Sequence, residues 1–312
     1  MAAVGTVSHN VAVSAGMQSS IAAIAESMKT GCVLFLGAGI HSGPSDGSPY
    51  QDRYPIDKRP ALGGQLSKHL ADKSNFSKTY PNGNPYDLQR VALHFETHYS
   101  RLELADEIRK CVHDDKIPSP LLMALSELNF SHIITTNYDQ LLEKALHRIG
   151  KDPVLSIYKS NHEEASERTD DYIPNREPTD RAPFIFKIHG DVTKTDSIVA
   201  TEEDYIHFVL RMGDKSPYHP VPDTMKYRLI RWPTLFLGYS LLDYNLRLLF
   251  QTLRWKVDQG LIPKSYSVDR APDPLIFEVY HNRKSYVTYV VEDVWAFVPE
   301  LYKQVMGKEM PW

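Results

Sequence analysis

Cysteine is nearly absent from this sequence, which has only Cys32 and Cys111 among 312 residues. A Cys₄ zinc site needs four thiolates, so this sequence cannot form such a site. Cys32 opens an apolar run and Cys111 lies on a predicted helix, positions more typical of buried structural thiols than of a disulfide. We therefore expect a protein of the reducing cytoplasm that holds no zinc.

Long apolar runs are also missing, since no stretch approaches the roughly 20 residues that a membrane span requires. Residues 1–16 are small and polar and lack the basic segment and apolar core of a secretory signal. With 35 basic and 39 acidic residues, the net charge of −4 gives no overall attraction for nucleic acid. The composition does not exclude a local basic patch on the folded surface. We expect neither membrane insertion nor direct nucleic-acid binding.

Four short, strand-like apolar runs each end in glycine or polar residues. In an open parallel sheet, ligands bind at the carboxyl ends of the strands. The pattern predicts an α/β fold, a Rossmann-like doubly wound parallel sheet, with the four strand ends around one crevice. The runs are Val33–Leu36, Ile133–Thr136, Phe184–Ile188 and Leu235–Leu237.

Apolar residues at helical spacing dominate residues 60–130, between the first two runs, and predict a helical small domain inserted into the sheet. We assign residues 17–312 to one domain, with its core at about 17–40, 131–150, 184–200 and 231–312, and residues 1–16 to a flexible segment. The polar excursions 159–181 and 211–223 are candidate lids or partner contacts. Near the C-terminus we expect a helix over 243–256, strands over 275–280 and 286–291, and a helix over 294–305.

A glycine turn follows the first run. Glycine tolerates positive φ and has no Cβ, so the backbone of such a turn can approach a phosphate. The third glycine of G-x-G-x-x-G is replaced by Ser42, and a simple tight turn is an equal alternative. The residues concerned are Gly37, Ala38, Gly39 and Ile40.

A second glycine turn follows the fourth run and comprises Gly238, Tyr239 and Ser240, with Asp243 three residues later. Its resemblance to the first turn suggests a seat for the far half of a dinucleotide. The alternative is that these residues only cap the next helix.

Asn137 and Asp139 lie where the second run gives way to a helix. Both residue types are favoured helix caps, and for Asp139 capping is as good an interpretation as a ligand contact. The amide of Asn137 can donate and accept at once, so it could position a ribose hydroxyl or a water.

His189 ends the third run and is followed by Gly190 and Asp191. A single histidine is more often structural than catalytic. This one is expected at the sheet edge where ligands bind, beside a glycine that leaves space, and imidazole is the usual proton acceptor near neutral pH.

In this order and spacing, the motifs resemble those of the Sir2 superfamily, in particular its bacterial Sir2-like branch that cleaves NAD⁺. The segments Pro60–Leu70 and Thr201–Tyr205 support the resemblance. It rests on Gly37–Ile40, Thr135–Asp139, Lys187–Asp191 and Phe236–Ser240 with Asp243.

Departures from the sirtuin deacylases are informative. Those enzymes carry two Cys-x-x-Cys zinc pairs, which this chain lacks. Their Gly-Ile-Pro-Asp-Phe-Arg stretch corresponds here to residues 43–46 without the Phe-Arg, and their Thr-Gln-Asn-Ile-Asp has Thr136 in place of the glutamine. These changes disfavour deacylation and retain Asn137 and His189.

The resemblance implies an NAD⁺ glycohydrolase that releases nicotinamide, with NAD⁺ as substrate and no cofactor. Asn137 would hold the ribose or the water, and His189 would accept the proton. An NAD- or ADP-ribose-binding sensor without chemistry is the alternative, and a protein deacylase is a weaker third. The implied binding residues are Gly37, Ala38, Gly39, Ile40, Thr136, Asp139, Gly238, Tyr239, Ser240 and Asp243.

Members of this branch often act in bacterial anti-phage defence by depleting NAD⁺, an activity that must be restrained until it is triggered. The resemblance therefore implies a homo-oligomer or a regulatory partner such as a HerA-type ATPase. No residue of the sequence identifies that partner.

Overall fold

The computed structural model describes residues 15–159, 177–215, 219–241, 247, 250–251, 263–284 and 286–311. Its centre is a seven-stranded sheet in which every strand pairing is parallel, in the order β3-β4-β2-β1-β5-β6-β7. The strands are β1 (Val33–Leu36), β2 (His132–Thr135), β3 (Val154–Ile157), β4 (Phe184–Lys187), β5 (Thr234–Leu237), β6 (Ser265–Val268) and β7 (Val287–Val290).

Helices surround the sheet. In chain order they are α1 (Ala15–Thr30), α2 (Gly63–Lys73), α3 (Phe76–Thr79), α4 (Leu88–His98), α5 (Arg101–Val112), α6 (Pro120–Glu127), α7 (Leu141–Arg148), α8 (Glu202–Arg211), α9 (Asp223–Arg231), α10 (Pro274–Phe277) and α11 (Val294–Met306). Short 3₁₀ turns cover Ala38–His41, Gln51–Arg53, Ile56–Lys58 and Thr195–Ser197. Among the described residues, no helix combines the length and hydropathy of a membrane span.

The central strands divide their side chains between two apolar cores because successive residues of a strand point to opposite faces. Leu34 and Leu36 of β1 pack into a core shared with α1, α6, α7 and α11. Val33 and Phe35 pack on the other face, into a core shared with α8 and α9. Burial on both faces explains the continuously apolar sequence of β1 and the apolar residues 235–237 of β5.

The four predicted strand ends lie level. Leu36 pairs with Thr135 on one side and with Leu237 on the other, and Thr135 pairs with Lys187. The parallel, Rossmann-like sheet is therefore confirmed, and the residues after these four strands emerge at one edge.

A third core joins α2, α4 and α5 and includes Tyr138, Val192 and Ile198 from the loops after β2 and β4. This core therefore reaches the edge where the four strands end. Helix α6 lies within the predicted insertion 60–130 but packs in the first core, against the sheet. The limits of an inserted domain stay a prediction.

Near the C-terminus, one predicted strand is wrong and one strand was not predicted. The strand predicted over 275–280 is wrong: α10 begins at Pro274 and continues as a π-helix over Glu278–Arg283. The Asp273 carboxylate accepts the backbone N–H groups of Leu275 and Ile276, both at 3.0 Å, and this cap with proline at the first helical position overrides the apolar, strand-like composition. The sixth strand is β6 instead, whose Ser-Tyr-Ser-Val sequence gave no apolar signal.

The outcomes of the other predicted elements are as follows. The helix expected after β2 is α7, which begins at Leu141, and the final strand and helix are confirmed as β7 and α11. Edge strand β3 was not predicted. Most of the helix predicted over 243–256, most of the flexible segment 1–16 and the central parts of both polar excursions lie outside the described residues.

Candidate functional site

A cavity of about 600 Å³ lies at the carboxyl edge of the sheet, within the 300–1,000 Å³ typical of small-molecule sites. The loops after β1, β2, β4 and β5 form one wall, and α2 with the segment before it forms another. Eight of the twelve predicted site residues line it: Ala38, Thr136, Asn137, Asp139, His189, Gly238, Tyr239 and Ser240. The two predicted catalytic residues therefore share one cavity.

Three predicted binding residues lie behind this wall. The side chain of Ile40 is fully buried in the first core. A Cβ on Gly37 or Gly39 would lie 2.6 or 2.8 Å from the carbonyl oxygen of Gly238, so both positions require glycine because the two turns pack against each other. The fourth, Asp243, lies outside the described residues.

The backbone of the first glycine turn is largely occupied by its own hydrogen bonds. The N–H of Gly37 donates to Leu237 O at 3.0 Å, that of Gly39 to Gly238 O at 2.7 Å, and that of Ile40 to Gly37 O at 3.1 Å. Those three N–H groups are directed into the protein. Ala38 is the member of the turn that lines the cavity.

The N-terminus of α2 supplies a further group of backbone donors that sequence reasoning missed. Gly63 and Gly64 line the cavity, the side chain of Leu62 provides no cap, and Gln65 Oε1 accepts the N–H of Leu62 at 2.9 Å. The first N–H groups of a helix have no acceptor within the helix, and together with the helix dipole they favour an anion. The available signal was the Gly-Gly pair at the start of an apolar-periodic segment.

Asn137 is held by a residue that sequence reasoning did not single out, His41. The Asn137 amide nitrogen Nδ2 lies 3.1 Å from His41 Nε2 and 3.5 Å from the carbonyl oxygen of Gly37. The other amide atom, Oδ1, is buried and has no hydrogen-bond partner in the described part of the chain. A buried polar atom without a partner at a cavity wall is a position at which a ligand or a water can bind.

Asp139 completes this group. Its Oδ2 lies 3.0 Å from His41 Nε2, and its Oδ1 accepts the N–H of Leu141, the first residue of α7, at 2.9 Å; the N-cap position itself is Gln140. Burial alone would raise the pKa of Asp139, but His41 and Lys187 outweigh burial and lower it. Asp139 is therefore an ionised carboxylate inside the protein.

Lys187, the last residue of β4, contacts the backbone of Asp139 and two carboxylates. Its fully buried ammonium lies 2.6 Å from Asp191 Oδ2 and 3.1 Å from Glu143 Oε1, and it donates to the carbonyl oxygen of Asp139. Burial opposes the charge on Lys187, but Glu143 and Asp191 outweigh burial and raise its pKa. Burial raises the pKa of Glu143. The network fixes the loop that carries Asn137 and Asp139.

His189 is 4% exposed and lies in an aromatic setting. Its Nδ1 is 3.4 Å from the hydroxyl of Tyr205, and its ring meets the edges of Tyr205 and Phe208. The next residue, Gly190, has a φ of 86°, and a Cβ there would lie 2.1 Å from the carbonyl oxygen of Ser197. Glycine is thus required to turn the chain directly after His189.

His41 and Tyr205 are side chains of the cavity wall that were not predicted as site residues. Each is separated in sequence from the residue that it contacts: 96 residues separate His41 from Asn137, and 16 separate Tyr205 from His189. For His41 the only available signal was its position directly after the glycine turn.

Comparisons with known proteins found bacterial relatives of this chain. The chain is 27% identical over 175 residues to "Defense-associated sirtuin 2" of Bacillus subtilis, covering 54% of this chain and 15% of that protein. It is 30% identical over 139 residues to "NAD(+) hydrolase ThsA" of Enterococcus faecium, and 27% identical over 175 residues to the protein of that name from Acinetobacter baumannii. The two matches cover 45% and 56% of this chain and 26% and 33% of those proteins.

The chain thus spans at most a third of the length of these relatives. The profile of the SIR2-like domain matches residues 131–291, just over half of the chain, and this range includes Asn137, His189 and Gly238. This chain belongs to the SIR2-like domain family.

Proposed function

We propose that this protein is an NAD⁺ glycohydrolase that cleaves NAD⁺ to nicotinamide and ADP-ribose. One observation carries the proposal: Asn137 and His189, from two different strand ends, line the same cavity at the carboxyl edge of a parallel sheet. The printed names of relatives from Enterococcus faecium and Acinetobacter baumannii support the reaction. An open α/β sheet binds dinucleotides at this edge.

In this proposal the diphosphate of NAD⁺ lies between Ala38 and the N-terminus of α2, where Gly63 and Gly64 admit close approach. The adenosine half lies toward Gly238, Tyr239 and Ser240. The nicotinamide ribose then lies beside Asn137 and His189. Asp139 contributes through His41 rather than by contact with the ligand.

The proposed chemistry begins with loss of nicotinamide, whose cationic ring leaves with the electron pair of the C–N bond and generates an oxocarbenium-like ribose. Water adds to the same carbon from the open side and gives up a proton. Asn137 orients the ribose or that water through its outer amide atom, and His189, oriented by the Tyr205 hydroxyl, accepts the proton. A positioned base of this kind contributes about 10²–10⁴-fold to the rate.

We also propose a role in anti-phage defence, as the name of the relative from Bacillus subtilis suggests. In this role, NAD⁺ depletion in the cytoplasm would stop an infected cell, and the chain would be restrained in a homo-oligomer or by a partner such as a HerA-type ATPase.

The experiment that tests this function measures nicotinamide release from NAD⁺ by the purified protein under single-turnover conditions, first alone and then with the product of the neighbouring gene. NAD⁺ binding is measured calorimetrically on the same samples. Nicotinamide release in either mixture supports the enzyme. Binding of NAD⁺ without release in both mixtures would contradict it and would favour the sensor, and release only with an acyl-lysine peptide would favour the deacylase.

A further inference from the structure

His41 connects the two polar residues that follow β2. Its Nε2 lies 3.0 Å from Asp139 Oδ2 and 3.1 Å from the Asn137 amide. The His41 and Asp139 side chains are 2% and 4% exposed, so solvent does not compete for this contact. No other side-chain group in the described part of the chain is shown within hydrogen-bond distance of the Asn137 amide.

The chemistry of Asp139 fixes the tautomer of His41. An ionised carboxylate only accepts hydrogen bonds, so the facing Nε2 must carry the hydrogen. The Asn137 amide lies beside the same Nε2–H. With the amide oxygen toward His41, Asn137 accepts a share of that hydrogen. With Nδ2 toward His41, two donors face each other at 3.1 Å, and the amide gains only a 3.5 Å contact with the carbonyl oxygen of Gly37. His41 therefore favours the turned amide, in which the NH₂ group rather than Oδ1 is left to meet a ligand.

We propose that His41 is a positioning residue that sets the orientation of the Asn137 amide toward the substrate, with Asp139 fixing its tautomer. The proposal rests on the proposed function, because there Asn137 contacts the ribose or the water.

A purely structural role fits the geometry less well. The second ring nitrogen of His41, Nδ1, is buried and has no hydrogen-bond partner in the described part of the chain. An apolar ring would fill this space without leaving a buried acceptor unsatisfied. An imidazole at this position is best explained by the contacts of its Nε2 with Asn137 and Asp139.

The test compares His41→Gln, which keeps an amide N–H within reach of Asp139, with the isosteric Asp139→Asn, which removes the charge that fixes the tautomer. His147→Gln on the exposed side of α7 is the matched control. A displaced catalytic group typically costs about 10²-fold, so we expect kcat to fall roughly 10–100-fold in both variants, with KM within threefold of the wild-type value. In an Asn137→Ala background, His41→Gln should cause no further loss.

An unchanged kcat in His41→Gln, or a loss that adds fully to that of Asn137→Ala, would overturn the proposal. A second readout does not depend on turnover: the side-chain NH₂ resonances of Asn137, identified by their disappearance in Asn137→Ala. We expect them to shift in His41→Gln and Asp139→Asn and to stay unchanged in His147→Gln. If the wild type releases no nicotinamide, the proposed function fails. The role of His41 is then tested by the resonances alone, and Asn137 resonances that do not shift in His41→Gln and Asp139→Asn would refute it.

Discussion

A Cβ atom on Gly238 would lie 2.1 Å from the backbone nitrogen of Ile40, so the turns after β1 and β5 interlock backbone to backbone. Gly238 also has a φ of 65°, in the left-handed region that favours glycine. This contact places the two glycine turns side by side at the cavity wall. It explains the paired Gly37-Ala38-Gly39 and Gly238 motifs by packing between loops as well as by access to a ligand.

Gly238→Ala should destabilise the protein by at least about 1–3 kcal/mol, because it adds both backbone strain and a clash that no flexible side chain can relieve. Gly213→Ala is the control, since its nearest atom, Leu210 O, would lie at 3.6 Å and no positive φ is involved. Urea denaturation of the two variants measures the difference. Equal midpoints for both would contradict the interlocked geometry.

Lys187→Met should cost about 3–5 kcal/mol of unfolding free energy, because it leaves Asp191 and Glu143 buried without their cation. A variant that also carries Glu143→Gln and Asp191→Asn removes those charges and should recover part of the loss. Thermal or urea unfolding distinguishes the two proteins. A triple variant no more stable than Lys187→Met would show that burial of unpaired charge is not the cause.

Stability should fall in mild acid because of His132. Burial, and then the charge of Arg228, lowers the pKa of this fully buried imidazole to about 4. The unfolded chain titrates near 6.5, so between pH 6.5 and 4 it binds more protons than the native state, and stability is lost as the pH falls through this window. From pH 7 to pH 5 the contribution amounts to about 2 kcal/mol.

The measurement for His132 compares urea unfolding of the wild type and His132→Asn at pH 7 and pH 5. Asparagine keeps an acceptor near the Ser131 hydroxyl, which lies 3.0 Å from His132 Nδ1, and does not titrate. The wild type should lose about 2 kcal/mol more than the variant over this interval. Parallel losses in the two proteins would exclude His132 as the source.

Gly63→Asp separates helix stability from ligand binding. A carboxylate in the first turn of α2 favours the helix by about 0.3–1 kcal/mol, and a Cβ at this position meets no atom within 4 Å. The same charge should repel a diphosphate, so we expect unchanged or higher stability and an NAD⁺ affinity at least tenfold weaker.

The control for Gly63→Asp is Gly16→Asp, which places the same charge near the start of α1 at a residue that also has open space and does not line the cavity. Titration calorimetry with NAD⁺ compares the two. Equal affinities would show that the N-terminus of α2 does not hold the phosphates.

Much of the fold could be predicted because β1, β2, β4 and β5 are buried on both faces and each carries consecutive apolar residues. Strand β6 could not, because serine hydroxyls interrupt its apolar residues although all four side chains are buried. The strand predicted over 275–280 was wrong for the opposite reason: these residues are largely apolar, but Asp273 and Pro274 directly before them start a helix.

At the site, sequence motifs predicted Asn137 and His189 because each directly follows an apolar strand. His41 could not be recognised as a neighbour of Asn137, because a contact across 96 residues depends on the sheet register that places β1 beside β2. The sequence assigned phosphate binding to the whole first glycine turn. In the structure, the N–H groups of Gly37, Gly39 and Ile40 already donate to backbone carbonyl oxygens, which the sequence does not indicate. Of the four residues of this turn, Ala38 is the one that lines the cavity.

The central claim is tested most directly by single-turnover nicotinamide release with Asn137→Ala and His189→Ala beside the wild type, each at an NAD⁺ concentration shown by calorimetry to saturate it. The account predicts that both variants bind NAD⁺ and release nicotinamide about 10²–10⁴-fold more slowly than the wild type. Release at the wild-type rate by either variant would contradict it.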